Sequence, residues 1–465
     1  RYALGTAISS YLQVDFNKDL MFKTTPSAEL SYGRTKNWLP GYEGNRHPAT
    51  ASLSENYYET LVLSIENQLT YKKLINDIHN IQLTAVQSYR HLYNHNMSGT
   101  KTGFNFEELN VMAGGGTAST RLVGYEGENI LLSYLGRVMY DYAGKYYLTA
   151  SLRSDGVNLF APSNRRGYFP SASIMWKVSE DFFKDVREID LLKFRVGWGS
   201  TGNSNIGSDF QYYDKITEAS NFSPVFGTSQ TIANAQYIFY GMASGDIHWE
   251  SADMINVGTD INLFKNKLQL TFEYYYKSVS DLLLQIPISY SFGRQDGNPW
   301  FNLGNIHNTG IEISGQWRDQ IGKLGYGINA SFTTTKNNVD YMPISDVTTT
   351  YNRTKVGYPI GSLFGYRAER IIQSNENYNS YPKQSNAIPQ PGDLKYTDMN
   401  NIGVINELDK TIIGKTIPSL NLTLGLDLNY KNFDFNVFMY GLGDYQIYNY
   451  QRASMSSMNY QDIDH

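Results

Sequence analysis

The chain has 465 residues, a formal net charge of −5 and no cysteine. That length exceeds the usual single core, so the chain is several domains or one very large β architecture. The charge, without any basic run, argues against a nucleic-acid partner, and the missing thiols exclude disulfides and thiolate metal sites.

Charged residues are 18 % of the chain, beside 38 Tyr, 22 Phe and 40 Gly. Such a mixture suits many strands, tight turns and aromatic faces. No apolar run is long enough for a transmembrane helix, but a membrane barrel meets lipid only at every second residue and needs none.

Arg1-Tyr2-Ala3-Leu4 reads as the inside of a strand, with no start Met or signal peptide, so the chain is expected to be a fragment of something larger. A strand near Tyr2–Phe16 turns at Asn17-Lys18-Asp19 into another near Leu20–Arg34. After a loop with Pro40-Gly41 and His47-Pro48, strands Tyr57–Tyr71 and Leu74–Arg90 meet at Lys72-Lys73. His91 to Asn129 reads as a long Gly- and Asn-rich loop. Leu131–Tyr142 and the strand from Tyr146 meet at Ala143-Gly144-Lys145. Phe169–Val178 leads to an acidic, helical connection over Ser179–Asp190, and Leu191–Gly202 rises from it. A loop from Asn203 to Glu250 follows.

The hairpin Ile255–Lys277 shows the pattern most clearly. Its arms carry Ile255, Val257, Ile261, Leu263, Leu268, Leu270, Phe272 and Tyr274 on one face. The other face carries Asn256, Asp260, Asn262, Gln269, Thr271, Glu273 and Lys277, and Lys265-Asn266-Lys267 forms the turn. Ile306–Trp317 and Leu324–Asn338 repeat it around Asp319–Lys323. An irregular stretch, Val339–Ile417, separates them from the last pair, Leu422–Tyr430 and Phe433–Met439, joined at Lys431-Asn432.

The reading gives roughly fourteen strands of about 10 to 16 residues. Short charged turns alternate with long loops, so an up-and-down order places all turns at one end and all loops at the other. The expected fold is all-β, an antiparallel transmembrane β-barrel with short periplasmic turns and long extracellular loops. Sandwich strands are shorter, and a propeller repeat is absent. Tyr146, Trp317, Tyr326, Tyr430 and Phe433 stand beside the short turns, where an aromatic girdle belongs.

From Lys145 the chain carries Leu152-Arg153-Ser154-Asp155-Gly156, Phe169-Pro170-Ser171, Trp176 with Ser179-Glu180-Asp181-Phe182, Leu192-Lys193-Phe194-Arg195, and Gly199-Ser200-Thr201-Gly202-Asn203 with Ile206-Gly207. Further on come Asn302-Leu303-Gly304-Asn305-Ile306, Asn308-Thr309-Gly310-Ile311-Glu312 and Pro391-Gly392-Asp393-Leu394-Lys395-Tyr396-Thr397-Asp398. These elements, from about Tyr125 onward, resemble the SusC/RagA-type family of TonB-dependent outer-membrane transporters. The resemblance implies a 22-stranded barrel closed by an N-terminal plug. This chain is then part of one barrel domain, residues 1–465, without the plug, the TonB box or the remaining strands.

Gly197-Trp198-Gly199-Ser200-Thr201-Gly202 spells a dinucleotide fingerprint, but it ends a strand instead of opening a helix; small residues admitting close neighbours are the expected reading. Asp398-Met399-Asn400-Asn401-Ile402-Gly403-Val404-Ile405-Asn406-Glu407-Leu408-Asp409 aligns with an EF-hand loop, with Asp398, Asn400 and Asp409 at positions 1, 3 and 12. Ile402 stands where an oxygen ligand is expected, and no helices flank the loop. A Ca²⁺ ion is one alternative there and a metal-free Asx-turn loop is the default. His91 and His95 pair as ligands only on a helix, and their region reads as strand end or loop. Tyr212, Tyr213, Tyr237, Tyr240, Trp249 and Trp300 either stack on substrate or pack the loops together.

The resemblance implies active import of a bulky nutrient, an oligosaccharide or a peptide, across the outer membrane. A SusD-like surface lipoprotein would close over the mouth, TonB would supply energy through the plug, and no bond chemistry is expected. A passive porin and a soluble or surface glycan-binding β-protein are the rival readings.

Overall fold

The computed structural model describes residues 2–41, 50–104, 108, 110–116, 120–206, 210–218, 225–226, 231–232, 237–240, 243–286, 298–343, 346–348, 351–384 and 387–456. The His47-Pro48 turn, Gly207 and the C-terminal residues 461–465 lie outside them. The chain divides into two units, Arg1–Ile174 with Gly199–Ser251 and Leu283–Asn302, and Met175–Trp198 with Ala252–Leu282 and Leu303–His465.

The first unit is built on β1 (Tyr2–Ser9), β2 (Leu12–Asp15), β3 (Leu20–Leu39), β4 (Ser52–Ile75), β5 (His79–Thr102), β6 (Arg121–Tyr142), β7 (Tyr146–Val157) and most of β8 (Arg166–Lys177). Their order is β1-β3-β4-β5-β6-β7-β8, with β2 also on β3. The expected first strand is thus two pieces, and the Pro26 carbonyl accepts the Ser10 N–H where they part. The expected loop from His91 to Asn129 is a correction: β5 continues to Thr102 and β6 begins at Arg121.

Alternation sorts the side chains of this unit. Pro26, Ile65, Tyr89 and Leu132 form one row across four strands, pairing residue by residue. The opposite face is polar: Ser27 and Ser64 share a 2.6 Å hydrogen bond, and Thr60 donates to Asn94 at 2.9 Å. Arg153 lies 2.8 Å from Asp155 and 3.1 Å from Ser133. One polar ladder breaks the apolar face, where Thr24 donates to Asn67 and Asn67 to Gln87, both at 2.7 Å. The three groups satisfy one another, which is the condition for keeping them out of water.

The second unit holds most of β9 (Ile189–Asn203), then β10 (Glu250–Leu263), β11 (Leu268–Ser280), β12 (Asn305–Ile321), β13 (Leu324–Tyr341), β14 (Leu420–Tyr430) and β15 (Phe433–Gly443). They neighbour one another in chain order. Ser179–Phe182 is a single helical turn, α1, before β9, so the acidic connection is helical only at its start.

The registers stack Phe272, Ile313, Phe332, Leu422 and Gly441 in one row, and Leu270, Gly315, Ala330, Leu424 and Met439 in the next. Between Thr334 and Leu324 the band is ten residues long on β13, about 33 Å along the strand. With the usual tilt of about 40° it is about 25 Å tall, the height of a lipid-facing band. Near the turn end, Trp317 donates to the Tyr326 hydroxyl at 3.4 Å, and the exposed Tyr430 and Phe433 pair across β14 and β15.

In the opening of the β10–β11 turn, Phe264, Lys265 and Asn266 all have positive φ, at 58°, 60° and 59°. Three ordinary residues hold this uncommon region because the Asn266 N–H donates to Asp190 at 2.8 Å and Lys267 pairs with Asp319 at 2.7 Å. The turn therefore starts one residue before the expected Lys265.

Val339–Ile417 is not irregular throughout. Asp346–Thr348, Asn352–Lys355, Ser362–Tyr366 and Lys410–Gly414 form a four-stranded sheet, and Ala368–Ile371 pairs with Leu394–Tyr396.

Candidate functional site

At the loop end of the first unit, the polar face opens into a cavity of about 570 Å³. Asn94 on β5, Asn129 on β6, Asp155 on β7, Asn203 at the end of β9, Asn205 just after it, and Trp249 contribute to its lining. Strand parity brings the first three together, because Asn94, Asn129 and Asp155 stand on the face that bears Thr60 and Ser133. Carboxamides dominate it. A carboxamide has two donors and an accepting oxygen; here the Asn94 oxygen already accepts from Thr60 and the Asn203 oxygen from the Asn205 N–H, and the one carboxylate of the lining is engaged by Arg153. Nothing in that donor set activates a nucleophile; it is equipped to hold an uncharged polar molecule by hydrogen bonds.

A small apolar core holds the rim of this cavity. Phe160, Ile206 and Ile247 are buried with Val157, Leu159 and Leu283, and Trp249 and Trp300 pack against them. Trp249 donates its indole N–H to the Arg165 carbonyl at 2.9 Å and meets Phe160 and Phe169 edge-on, at 5.8 and 5.5 Å. Asn302 and His248 exchange two hydrogen bonds of 2.9 Å across the same region.

The aromatic candidates therefore separate. Trp249 both packs the loop core and lines the cavity, whereas Trp300 packs the core. Tyr212 accepts from Arg165 at 3.4 Å and lies 4.2 Å from Tyr213, which is exposed. Tyr237 and Tyr240 lie on a short strand paired with Lys215–Glu218, and their side chains fall outside the described residues. Sequence reading missed Asn94, Asn129, Asn203, Asn205 and Asp155; strand parity at the loop end was the available signal for those on β5, β6 and β7.

The Gly-rich stretch of β9 serves close packing. A Cβ on Gly202 would sit 2.0 Å from the Phe169 ring, and one on Gly197 would sit 2.4 Å from Asn256. In the second unit this space lets a charged cluster form on the polar face. Lys193 reaches Asp260 at 2.9 Å, Arg195 pairs with both Asp260 and Glu273, Thr271 donates to Asp260 at 2.9 Å, and Asn256 donates to Glu273 at 3.1 Å. The cluster balances two cations with two carboxylates and ties β9, β10 and β11 together.

The loop from Asp398 to Asp409 closes on itself. Asp409 is fully buried and accepts from the backbone N–H groups of Asn406 at 2.7 Å, Met399 at 2.8 Å and Asn400 at 3.3 Å. Those hydrogen bonds, the one from Asn406 foremost, hold its carboxyl below the usual range. Asn400 accepts from Ile402 at 3.2 Å, which is an Asx-turn, and Asp398 accepts from Gly403, five residues on, at 2.7 Å. Among the described residues no group of three or more His, Asp or Glu is arranged to hold a metal. His91 and His95 both lie in β5, about 13 Å apart along the strand, and do not converge on one ion.

The family described as "TonB dependent receptor-like, beta-barrel" matches residues 4–464. TonB-dependent receptor P3 of Formosa agariphila is 29 % identical over 415 residues, covering 86 % of this chain and 40 % of that protein. TonB-dependent receptor SusC of Bacteroides thetaiotaomicron is 27 % identical over 344 residues, covering 73 % and 32 %. The chain thus spans less than half the length of these relatives. In a solved structure of the RagAB peptide transporter, a matching chain superimposes with a TM-score of 0.81 at 19 % identity, covering 94 % of this chain and 47 % of that one.

Proposed function

The chain belongs to the TonB dependent receptor-like β-barrel family of the outer membrane, and from that premise we propose that it walls the import path of an energised nutrient transporter of the SusC/RagA type. The cargo we propose is an uncharged oligosaccharide. One observation carries this choice: the cavity on the polar face is lined by Asn94, Asn129, Asn203 and Asn205 beside Trp249, with its only carboxylate paired. Carboxamides match sugar hydroxyls in both directions, and an indole offers a flat apolar face. An anionic cargo would need cations that this lining lacks.

In this reading a SusD-like surface lipoprotein closes over the loop end, and TonB acts through a plug that belongs to the longer protein. The reading calls for no Ca²⁺ ion in the 398–409 loop, where Asp409 is held by backbone amides. The test is calorimetric binding of neutral oligosaccharides and of uncharged peptides to the purified full-length receptor. Oligosaccharide binding is expected, weakened by Asn94→Ala with Asn203→Ala by about 1–3 kcal/mol, or about 5- to 150-fold, for two lost hydrogen bonds. Peptide binding alone would refute the choice of cargo.

A further inference from the structure

On the apolar face of the second unit, above the lipid-facing band, lies a groove of about 590 Å³. It sits where β14 leaves β13. Thr335 still receives its backbone partner from Ser419, but at Val339 the partner is the Gly357–Tyr358 segment. Between those two contacts the wall is notched. Lys336 and Lys415 line the notch with Tyr274, Ile311, Pro359 and Ile417.

Directly below, on the same face, is a second, apolar hollow of about 560 Å³. Small residues make it: Gly315, Ala330 and Gly441 stand among Leu270, Phe332 and Met439. Lys336 and Ala330 are both on the outward parity of β13, six residues or about 20 Å apart. A cationic notch therefore stands at the rim of the lipid-facing band, with an apolar hollow near its middle, a separation that an acyl chain running down from a headgroup spans.

Charge decides what fits. Lys336 is exposed and has no ion pair among the described residues. Lys415 shares Asp444, which is itself exposed, and donates to Ser419 at 3.1 Å. The nearby Asp340 is taken by His307 at 2.7 Å, and His307 stacks on Tyr276 at 5.6 Å. The notch thus keeps one unbalanced cation and a second whose acid partner is solvent-exposed and displaceable.

We propose that this paired notch and hollow is a binding site for a phosphorylated outer-leaflet lipid. The headgroup phosphate lies against Lys336 and Lys415, and an acyl chain lies in the hollow over Gly315, Ala330 and Gly441. Lysine holds phosphate as a point charge, and dispersion contacts in the hollow hold the chain. The inference rests on the membrane placement of the wall and is independent of the import reading.

The test is native mass spectrometry of the detergent-purified full-length receptor titrated with monophosphoryl lipid A and with the same lipid lacking phosphate. Lys336→Gln with Lys415→Gln is expected to weaken the phosphorylated lipid about tenfold and to leave the phosphate-free lipid unchanged. Gly441→Phe is expected to weaken both lipids. A Cβ there meets no heavy atom within 4 Å, so the ring starts from open space at the edge of the hollow. Thr333→Gln, on the polar face, should alter neither. Lys336→Gln alone serves if the double variant does not fold. Unchanged adducts in the lysine and glycine variants would overturn the proposal. So would equal displacement of the lipid by inorganic phosphate, which would mark an anion site without a lipid.

Discussion

Placing a charge at Leu270 distinguishes a membrane wall from any other apolar sheet face. Leu270 pairs with Gly315, and Gly315 with Ala330. Ala330 is four residues below Thr334 and six above Leu324, so this row lies within about 3 Å of the middle of the 25 Å band. An arginine at the bilayer midplane costs about 2–4 kcal/mol, a factor of about 30 to 1,000 in the folding equilibrium. One residue on, Thr271 faces the charged cluster and donates to Asp260 at 2.9 Å. Arginine there loses that hydrogen bond, about 1 kcal/mol, but its charge stays in a polar lumen. Gln269, on the same face and exposed, should accept arginine at almost no cost. The assay is reversible unfolding of the full-length receptor in lipid vesicles, followed by tryptophan fluorescence. Equal destabilisation by Leu270→Arg and Gln269→Arg would refute the assignment of faces.

The same assay should separate two glycines. A Cβ on Gly310 would sit 2.1 Å from the Thr334 carbonyl oxygen, backbone that cannot yield cheaply, whereas one on Gly441 meets nothing; Gly310→Ala should cost about 1–3 kcal/mol and Gly441→Ala far less. In the long loop, hydrogen bonds from Arg370 and then Tyr381 hold the Glu376 carboxyl down at about 2. A carboxyl lowered in the folded state stabilises the loop above its ordinary range and stops doing so as pH falls through its folded value. Hydrogen-exchange protection over residues 373–381, taken relative to the intrinsic rate at each pH, should therefore be full at pH 5 and fall between about pH 4.5 and 2; Glu376→Gln should show the lower protection at pH 5 as well. Asp409→Asn puts an amide against three backbone donors, so limited proteolysis near residues 398–409 should quicken, with or without added calcium or chelator.

Much of the wall was legible because a strand repeats every two residues and a membrane rewards one face. Leu268 through Tyr274, and Leu422 through Tyr430, announce both faces without any tertiary information. Above the membrane that signal disappears. His91–Thr102 is strand because β4 and β6 pair with it residue by residue, yet water on both sides leaves its sequence polar on both faces and loop-like. The cavity was hidden for the same reason. Asn94 and Asn129 look like any loop amides until register puts them on one face, and Asn203 and Asn205 arrive from a strand distant in sequence. Trp249 was visible as a large aromatic, but its packing on Phe160 and Phe169 depends on residues about 80 and 90 positions away. The calcium alternative came from the spacing and oxygen chemistry of the 398–409 loop; that both Asp409 oxygens accept from backbone amides was not legible there.

Uptake of a fluorescent neutral oligosaccharide by cells whose sole importer is the full-length receptor tests the central claim most directly. Accumulation against the gradient that stops when a protonophore collapses the proton gradient, and falls with Asn94→Ala and Asn203→Ala, is the predicted result. Entry that continues undiminished without the proton gradient would make this wall a passive pore and contradict the account.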